Sequence, residues 1–450
     1  MRHFLTCILS LIACCAQASI TAPALHGYTL DNGLNVLVKE DHRAPVATVM
    51  LWYNIGSADE PGGITGVSHA LEHMMFKGSS KYPAGEFSKI IASIGGQENA
   101  VTNADYTAYF ETIPATELPI AMQLEADRMR NLSFDRSAFK KEIQVVREER
   151  ALRTDNNPQA LLFERYMATA HLTEPYHHPI IGWMSDLQEM RLVDLKNWYD
   201  NFYNPSNATL VVTGDVKSQD VFELAKVYFA DLPQHATFKR KHQIEPPALG
   251  PKETTIHKPA QIPLLMYGYL VPSAVSHKNS LDPYVLEIIG GILDAGDNGR
   301  LTRDLIRNTR IASQANVYYS LYSRYQTQFI LIGIPAANHS MDDVKRMFQK
   351  EITQLQQEPI SEVELQRVKN QIIAQKVFEK DSIFSQAMEL GLLAILGLHD
   401  ENIDSYTKKI KQITPEQIQK VAQRYLINQA VTEARLEPLQ SPFSTSLPNS

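Results

Sequence analysis

Cysteine is almost absent from this sequence. Only three of the 450 residues are cysteines, and Cys7, Cys14 and Cys15 all lie at the amino-terminal end. The remaining chain therefore cannot form a disulfide framework, and it cannot act as a thiol protease. A metal site there must be built from histidine, aspartate or glutamate.

The sequence also lacks an excess of positive charge. It has 43 Lys and Arg against 50 Asp and Glu, a formal net charge of -7, which argues against broad affinity for nucleic acid or anionic membranes. After the leader, no run is long and apolar enough to span a bilayer, so we expect no transmembrane segment. Hydrophobic residues make up 44% and charged residues 21%, as in globular proteins, and the length predicts two domains.

The first 18 residues have the pattern of a secretory signal peptide. A basic residue is followed by an apolar run over 4–15 and an Ala-Gln-Ala site at 16–18. We expect cleavage after Ala18 and a periplasmic protein. The segment LIAC leaves open a lipoprotein alternative, in which Cys14 would be lipidated.

The second half of the chain repeats the first in the same order. The matching pairs are HALEH (69–73) with YVLEI (284–288), QVVREE (144–149) with QIIAQK (371–376), and DLKNWYDNFYNPSNATLVV with EQIQKVAQRYLINQAVTEA. Only the first half carries the histidine pair. The repeat predicts an α+β fold of two homologous domains.

Composition sets the expected boundaries of these domains. Residues 238–255 are charged and proline-rich, which is typical of a linker. We therefore predict a first domain over 19–237 and a second over 256–438. The polar end, 439–450, is predicted to be a flexible tail.

The stretch SHALEHMMFKG places His69, Glu72 and His73 on one face of a predicted helix. Two imidazoles that share a face suit zinc, and a catalytic zinc site keeps one position open for water. Glu72 is next to His73 and cannot easily bind the same ion, so it is the natural general base. So short a motif also arises by chance, and it does not decide the function alone.

A third ligand is expected on another helix, within FKKEIQVVREERALR. Glu142 and Glu149 are two turns apart and share a face with Val145 and Val146, an unusual acidic pair on an apolar stripe. We predict Glu149 as the ligand and Glu142 as a partner that orients a histidine ring or tunes the water. Glu148, turned away by about 100°, is expected to be solvated.

The sequence resembles the pitrilysin or insulinase-type zinc metallopeptidases, the inverzincins, whose inverted motif is H-x-x-E-H. The matching segments are GVSHALEHMMFKGS, IGGQENAVTNADYTAYFETIP, KKEIQVVREE, PYHHPIIGW and FYNPSNATLVVTGDV. The spacing from His73 to Glu149 is similar to the branch that includes the mitochondrial processing peptidase, and the length is similar to the short two-domain bacterial members.

This resemblance implies one zinc ion per chain, held by His69, His73 and Glu149, with Glu72 as the catalytic base and Glu142 in support. It also implies that the two domains, each a mainly antiparallel sheet packed with helices, form a clam-like chamber. A peptide would add as a strand to a sheet edge beside the zinc. Asn99 and Ala100 in ENAVTNADYT are therefore candidate substrate contacts, although an ordinary hairpin with Asn99 in a turn is the alternative.

The same resemblance predicts a partner. In the family the second domain usually supplies an arginine and, seven residues on, a tyrosine, which steady the oxyanion. In LIRNTRIASQANVYY, Arg307 fits the arginine, but the tyrosine position falls on Ser313 or Gln314. Tyr318 and Tyr319 lie further along and are expected to point elsewhere unless the strand is displaced. The chain is thus expected to pair with a homologous subunit that lacks H-x-x-E-H and supplies both side chains, a homodimer or monomer being the alternative.

The predicted function is a zinc-dependent endopeptidase that cleaves short or unfolded peptides. One alternative is an inactive homologue that serves as a structural subunit, against which the intact His69, Glu72, His73 and Glu149 argue. The other is a module that binds peptides without cutting them. Glu72 argues against it, because retention of zinc or peptide needs no base.

Overall fold

The computed structural model describes residues 25–234, 238–241, 243–399 and 401–439, which form two domains. The predicted signal peptide, with Cys14, lies outside the described residues. So does the predicted tail, except for Leu439, which ends the last strand. Within the described ranges, no helix is long and apolar enough to cross a bilayer.

The first domain is built on a mixed sheet, which in the described chain has the strand order β1-β2-β6-β3-β5-β4. β2 and β6 are parallel, and every other adjacent pair is antiparallel. Gly33, which follows Asn32 in the turn between β1 and β2, has a φ of 93°, a conformation that glycine adopts at low cost. The strands are β1 Leu25–Thr29, β2 Asn35–Glu40, β3 Val46–Tyr53, β4 Gln97–Thr102, β5 Thr107–Pro114 and β6 Ala208–Gly214.

Helices cover one face of this sheet and bury its main apolar core. Those that carry the predicted metal ligands, α1 and α4, pack against each other. The helices are α1 Val67–Met75, α2 Glu86–Ser93, α3 Leu118–Asn131, α4 Arg136–Arg150, α5 Pro158–Ala170, α6 Met184–Glu189, α7 Leu192–Phe202 and α8 Ser218–Phe229.

The second domain repeats this plan. Its sheet has the order β7-β11-β8-β10-β9, with β7 and β11 parallel and the other adjacent pairs antiparallel. The order equals that of the first sheet without β1, so the prediction of two homologous, mainly antiparallel domains is confirmed. β7 begins at Lys252, inside the segment predicted as a linker. The strands are β7 Lys252–Pro259, β8 Leu264–Val271, β9 Ala312–Tyr318, β10 Thr327–Pro335 and β11 Val431–Leu439.

The helices of the second domain also follow the repeat. The three sequence alignments bring together α1 with α9, α4 with α11, and α7 with α14. The helices are α9 Asp282–Leu293, α10 Met341–Gln357, α11 Glu362–Phe378, α12 Ile383–Ile395, α13 Ile403–Gln412 and α14 Pro415–Tyr425.

The two domains exchange one helix each. α5 packs on β7 and β11 of the second sheet, and α12 packs on β3 and β6 of the first. β3 is therefore buried on both faces. Val49 and Leu51 face the helices of their own domain, whereas Met50 and Trp52 contact the cluster formed with α12. This exchange joins the sheets and leaves a space between the domains.

Candidate active site

The amino-terminal end of α1 is held by a buried carboxylate. Glu60 accepts hydrogen bonds from the backbone N–H groups of Gly66 at 2.6 Å and Ser68 at 2.8 Å. Gly66 has a φ of 85°, and a Cβ there would lie 2.5 Å from the carbonyl oxygen of Ile181. A larger residue would therefore displace the helix start. These contacts fix the helix that carries both histidines.

The structure brings His69, His73 and Glu149 together. Glu149 Oε2 lies 3.6 Å from Nε2 of His69 and 3.3 Å from Nε2 of His73. One potential ligand atom from each residue lies within 4.8 Å of the others. Because α1 and α4 pack side by side, residues 76 positions apart (149 − 73) converge on one point.

The distances from Glu149 to the two histidines fit zinc. Ligands at about 2.0–2.2 Å around a tetrahedral ion lie about 3.3–3.6 Å from one another, as Glu149 Oε2 does from each Nε2 atom. Burial, with smaller contributions from His73 and Arg153, lowers the pKa of His69 to about 3. His69 is therefore neutral near pH 7, the form that binds a metal.

Two cations orient the acidic pair on α4. Lys77 Nζ lies 2.9 Å from Glu142 Oε1, and Arg153 Nη1 lies 2.8 Å from Glu149 Oε1. The other oxygen of Glu149 faces the histidines, and Glu142 Oε2 lies 3.5 Å from His73 Nδ1.

The expectation of an apolar stripe beside this pair was half wrong. Val146 is fully buried, but Val145 is 44% exposed. Glu148 is exposed, as its position on the helix predicted. α4 thus packs through a narrower face than the sequence pattern indicated.

The end of α4 is anchored by a buried arginine. Arg150 forms two hydrogen bonds with Glu164 of α5, at 2.8 and 3.0 Å, and one with the carbonyl of Gly182 at 2.7 Å. The helix then continues as a π-helical turn over Ala151–Asp155. Arg150 therefore limits the movement of Glu149, the residue before it.

Glu72 lies beside the histidines and contacts the edge of the sheet. Its Oε2 accepts a hydrogen bond from the hydroxyl of Thr102, the last residue of β4. Burial raises the pKa of the Glu72 carboxyl, while the hydrogen bond from Thr102 and the neighbouring His73 oppose this. A partly buried carboxylate with a raised pKa is suited to proton transfer.

A cavity of about 890 Å³ opens over this group and is lined by both domains. The first domain contributes His69, Glu72 and Glu149, and also Ala100 from β4. β4 is at the end of its sheet, and among the described strands it pairs only with β5. Asn99 and Ala100 both lie within β4, so Asn99 belongs to the edge strand and not to a turn.

Arg307 lies elsewhere. It is paired with Asp297 at 2.8 Å and is not among the residues that line the cavity. The expectation that Tyr318 points away was wrong, because its side chain lines the cavity and packs edge-on against Phe163, with ring centroids 5.9 Å apart. Tyr319 does turn away, and its hydroxyl donates to the carbonyl of Pro272 at 2.9 Å.

Several cavity residues could not be identified from the sequence. Thr102 and Tyr322 carry no motif, and only the approach of β4 to α1 and of the two domains to each other reveals them. His177 and His178 also line the cavity. Neither belongs to the metal-binding group found among the described residues.

The sequence matches known protein families in both halves of the chain. Residues 35–182 match the family described as Insulinase (Peptidase family M16), and residues 190–372 match the Peptidase M16 inactive domain. The chain is 32% identical to the zinc protease PqqE of Helicobacter pylori over 97% of its own length and all of that protein. The chain belongs to peptidase family M16.

Other M16 proteins share the sequence and the fold. A probable mitochondrial-processing peptidase subunit beta from Arabidopsis thaliana is 23% identical over 94% of this chain and 80% of that protein. The crystal structure of a protease from Helicobacter pylori superposes with a TM-score of 0.87 at 30% identity, over 92% of this chain and all of the other. A Pseudomonas fluorescens structure described as a peptidase M16 inactive domain gives 0.82 at 17% identity, over 93% and 100%, which is a likeness of fold.

Proposed function

We propose that this chain is a zinc-dependent endopeptidase of the M16 type that cleaves short or unfolded peptides. The observation that carries the proposal is the convergence of His69, His73 and Glu149, with Glu72 beside them, at the wall of a cavity between two domains. The family assignment and the zinc protease relatives support a metallopeptidase.

In this proposal one zinc ion per chain would be held by His69, His73 and Glu149, while Glu142 steadies His73 through Nδ1. When bound, zinc acidifies a water molecule and polarises the peptide carbonyl. Glu72 accepts the proton of the attacking water at Oε1, because its Oε2 is occupied by Thr102. The same oxygen then gives the proton to the leaving amine.

The peptide is proposed to add to the open edge of β4. Asn99 and Ala100 lie in this edge strand, and Ala100 also lines the cavity, close to the Glu72 contact of Thr102. Main-chain pairing would fix the direction of the peptide and leave its sequence largely free. Because the cavity holds about 890 Å³, it suits an extended segment and excludes a folded domain.

The first test is a fluorogenic peptide assay with purified protein. Glu72→Gln should retain zinc and lose about 10²–10⁴-fold in rate, because it removes the base and leaves the ligands. A chelator should abolish turnover by the parent protein, and added zinc should restore it. Glu148→Gln, which replaces an exposed glutamate of α4 that points away from the site, is the matched control and should remain fully active. Near-parental turnover by Glu72→Gln would contradict its role. Peptide binding without any turnover by the parent would favour the inactive homologue.

We further propose that this chain is the zinc subunit of a heterodimer. Among the described residues of the second domain that line the cavity there is no arginine, and Arg307 is paired with Asp297 outside it. A homologous partner without H-x-x-E-H would then supply the arginine and tyrosine that stabilise the oxyanion.

The partner is tested with the chain purified alone. We expect slow turnover that rises about 10²–10³-fold when the homologous subunit is added, the typical effect of one oxyanion donor. Full activity alone, unchanged by the homologue, would contradict the heterodimer and assign the donor to a residue already present, such as Tyr318.

The predicted export also remains open to test. We propose a periplasmic protein whose mature chain starts at Ser19. Mass spectrometry of the protein from cell fractions should find this amino terminus in the periplasm. An acylated Cys14 at the amino terminus would establish the lipoprotein alternative.

A further inference from the structure

The second domain contains its own cavity, of about 620 Å³, at the position that corresponds to the zinc site. The alignment of HALEH with YVLEI places Glu287 of α9 opposite Glu72. The alignment of QVVREE with QIIAQK places Lys376 of α11 opposite Glu149. Both histidines are replaced, by Tyr284 and Ile288, and an ammonium group stands where a ligand would be. This cavity therefore keeps the carboxylate that corresponds to Glu72 but lacks counterparts of the three predicted metal ligands.

The charges in this cavity are unbalanced. Glu287, Asp294 and Glu379 line it, against the single cation Lys376. Lys376 is already paired with Glu379 at 3.2 Å and with Glu389, outside the lining, at 3.0 Å. Two carboxylates thus share the positive charge of Lys376, and Glu287 has no cation of its own among the described residues of this cavity.

Glu287 has an unused oxygen. Its Oε2 is buried and finds no hydrogen-bond partner among the described residues. Burial raises the pKa of Glu287 to about 7, while a hydrogen bond from Tyr406 and the charge of Lys376 oppose this. A buried acceptor without a donor is energetically unfavourable. A cation that entered the cavity could donate a hydrogen bond to this oxygen without displacing another donor from it.

The cavity adjoins the active site. Ser320, Tyr322 and Leu392 line both cavities, so these three side chains form a common wall. A peptide bound along β4 would therefore pass close to the entrance of the second cavity. Apolar groups of the lining, among them Leu321 and Ile372, suit the aliphatic part of a lysine or arginine side chain.

We propose that this cavity binds the side chain of a lysine or arginine in a peptide held in the active site, with Glu287 as the acceptor of its charge. The inference rests on the proposed peptidase function. It makes the vacated metal position of the second domain a specificity site, which selects substrates that carry a basic residue at a fixed distance from the cleaved bond.

The test uses binding to the inactive Glu72→Gln protein. A series of labelled peptides carries a single lysine, each at a different position. Each is compared with a control peptide in which norleucine replaces the lysine. Fluorescence anisotropy measures the dissociation constants. At one position lysine should bind about tenfold to a hundredfold more tightly, the usual effect of a hydrogen bond to a charged group. Adding Glu287→Gln should remove this preference and leave the norleucine peptide unchanged.

Glu437→Gln is the matched control. It removes the same charge, but Glu437 lies on β11, outside both cavities. Glu379→Gln, at the exposed rim of the cavity, provides a second variant should Glu287→Gln fail to fold. It should reduce the preference for lysine by a smaller factor. Equal binding of both peptides at every position, or equal weakening of both by Glu287→Gln, would overturn the proposal. Competition by free butylammonium as strong as by the lysine peptide would also overturn it, because the site would then be one for small amines.

The binding assay separates this proposal from the peptidase function. A lysine preference lost in Glu287→Gln, together with no turnover by the parent protein, would leave the basic-residue site standing and reject the peptidase. Cleavage of lysine and norleucine peptides with equal KM would retain the peptidase and reject the site.

Discussion

The hydroxyl of Thr102 donates a hydrogen bond to Oε2 of Glu72. This contact links the end of the edge strand β4 to the helix that carries both histidines. The strand that would receive a peptide and the carboxylate that would activate water are therefore held in one fixed arrangement. In the proposed mechanism, this hydroxyl group would couple peptide binding to proton transfer.

Replacement of this hydroxyl should slow the reaction. Thr102→Val leaves the shape nearly unchanged but frees Oε2, so Glu72 loses its fixed orientation. We expect kcat to fall about tenfold, as for other partners that orient a metal-site residue, with the zinc content unchanged. Thr102→Ser retains the donor and should keep most of the activity. Equal rates for the valine and serine variants would show that the hydrogen bond has no role.

The zinc ligands can be tested without an activity assay. Parental protein should contain about one zinc per chain, measured by atomic absorption after dialysis. His73→Ala combined with Glu149→Gln removes two of the three proposed ligands and should abolish the bound zinc. Glu148→Gln should retain it. A full complement of zinc in the double variant would place the metal elsewhere.

The packing of α12 on the first sheet depends on one glycine that lets the helix lie close to β3. A Cβ at Gly391 of α12 would lie 2.1 Å from Cε2 of Trp52, which is fully buried in β3. Gly391→Ala should therefore destabilise the protein by about 1–3 kcal/mol, the usual cost of overpacking. At Gly290 of α9 the added Cβ would find ordinary contacts at 3.8 Å, so Gly290→Ala should be neutral or slightly stabilising. Urea unfolding compares the two, and equal midpoints would show that α12 adjusts freely.

A carboxylate near the domain junction stabilises the folded protein to an extent that depends on pH. Glu245 accepts backbone hydrogen bonds from Leu172, Thr173 and Glu174 at 2.6, 2.8 and 3.1 Å. Burial alone would raise the pKa of Glu245, but these bonds and Lys252 lower it from 4.5 to about 2. Because the folded pKa is the lower one, the contribution is complete above about pH 4.5 and is lost as the pH falls towards 2.

Glu245→Gln should therefore lower the free energy of unfolding by about 2 kcal/mol at pH 7, since hydrogen bonds to a charged acceptor become bonds to a neutral one. The difference from the parental protein should shrink between pH 4.5 and pH 3. Unfolding curves at these pH values measure it. A difference that stays constant down to pH 3 would contradict the lowered pKa.

Local patterns in the sequence were enough to predict much of the fold. The spacing of His69 and His73 predicts a shared helix face, because residues four apart stack on one side. The Asn32-Gly33 turn predicts the first hairpin, since glycine adopts the left-handed conformation at low cost. The internal alignments predict two related domains, because equal patterns of apolar residues build equal layers. These features depend on neighbours within a few positions along the chain.

Contacts between distant segments were decided only by the tertiary structure. Nothing near Thr102 in the sequence indicates a contact with Glu72, and nothing near α5 or α12 indicates that each packs on the sheet of the other domain. The side chain of Tyr318 turns into the cavity because β9 is an edge strand that faces the first domain, a fact that its own residues do not encode. Sequence periodicity fixes which side of an element is apolar, whereas the packing of whole elements determines what that side meets.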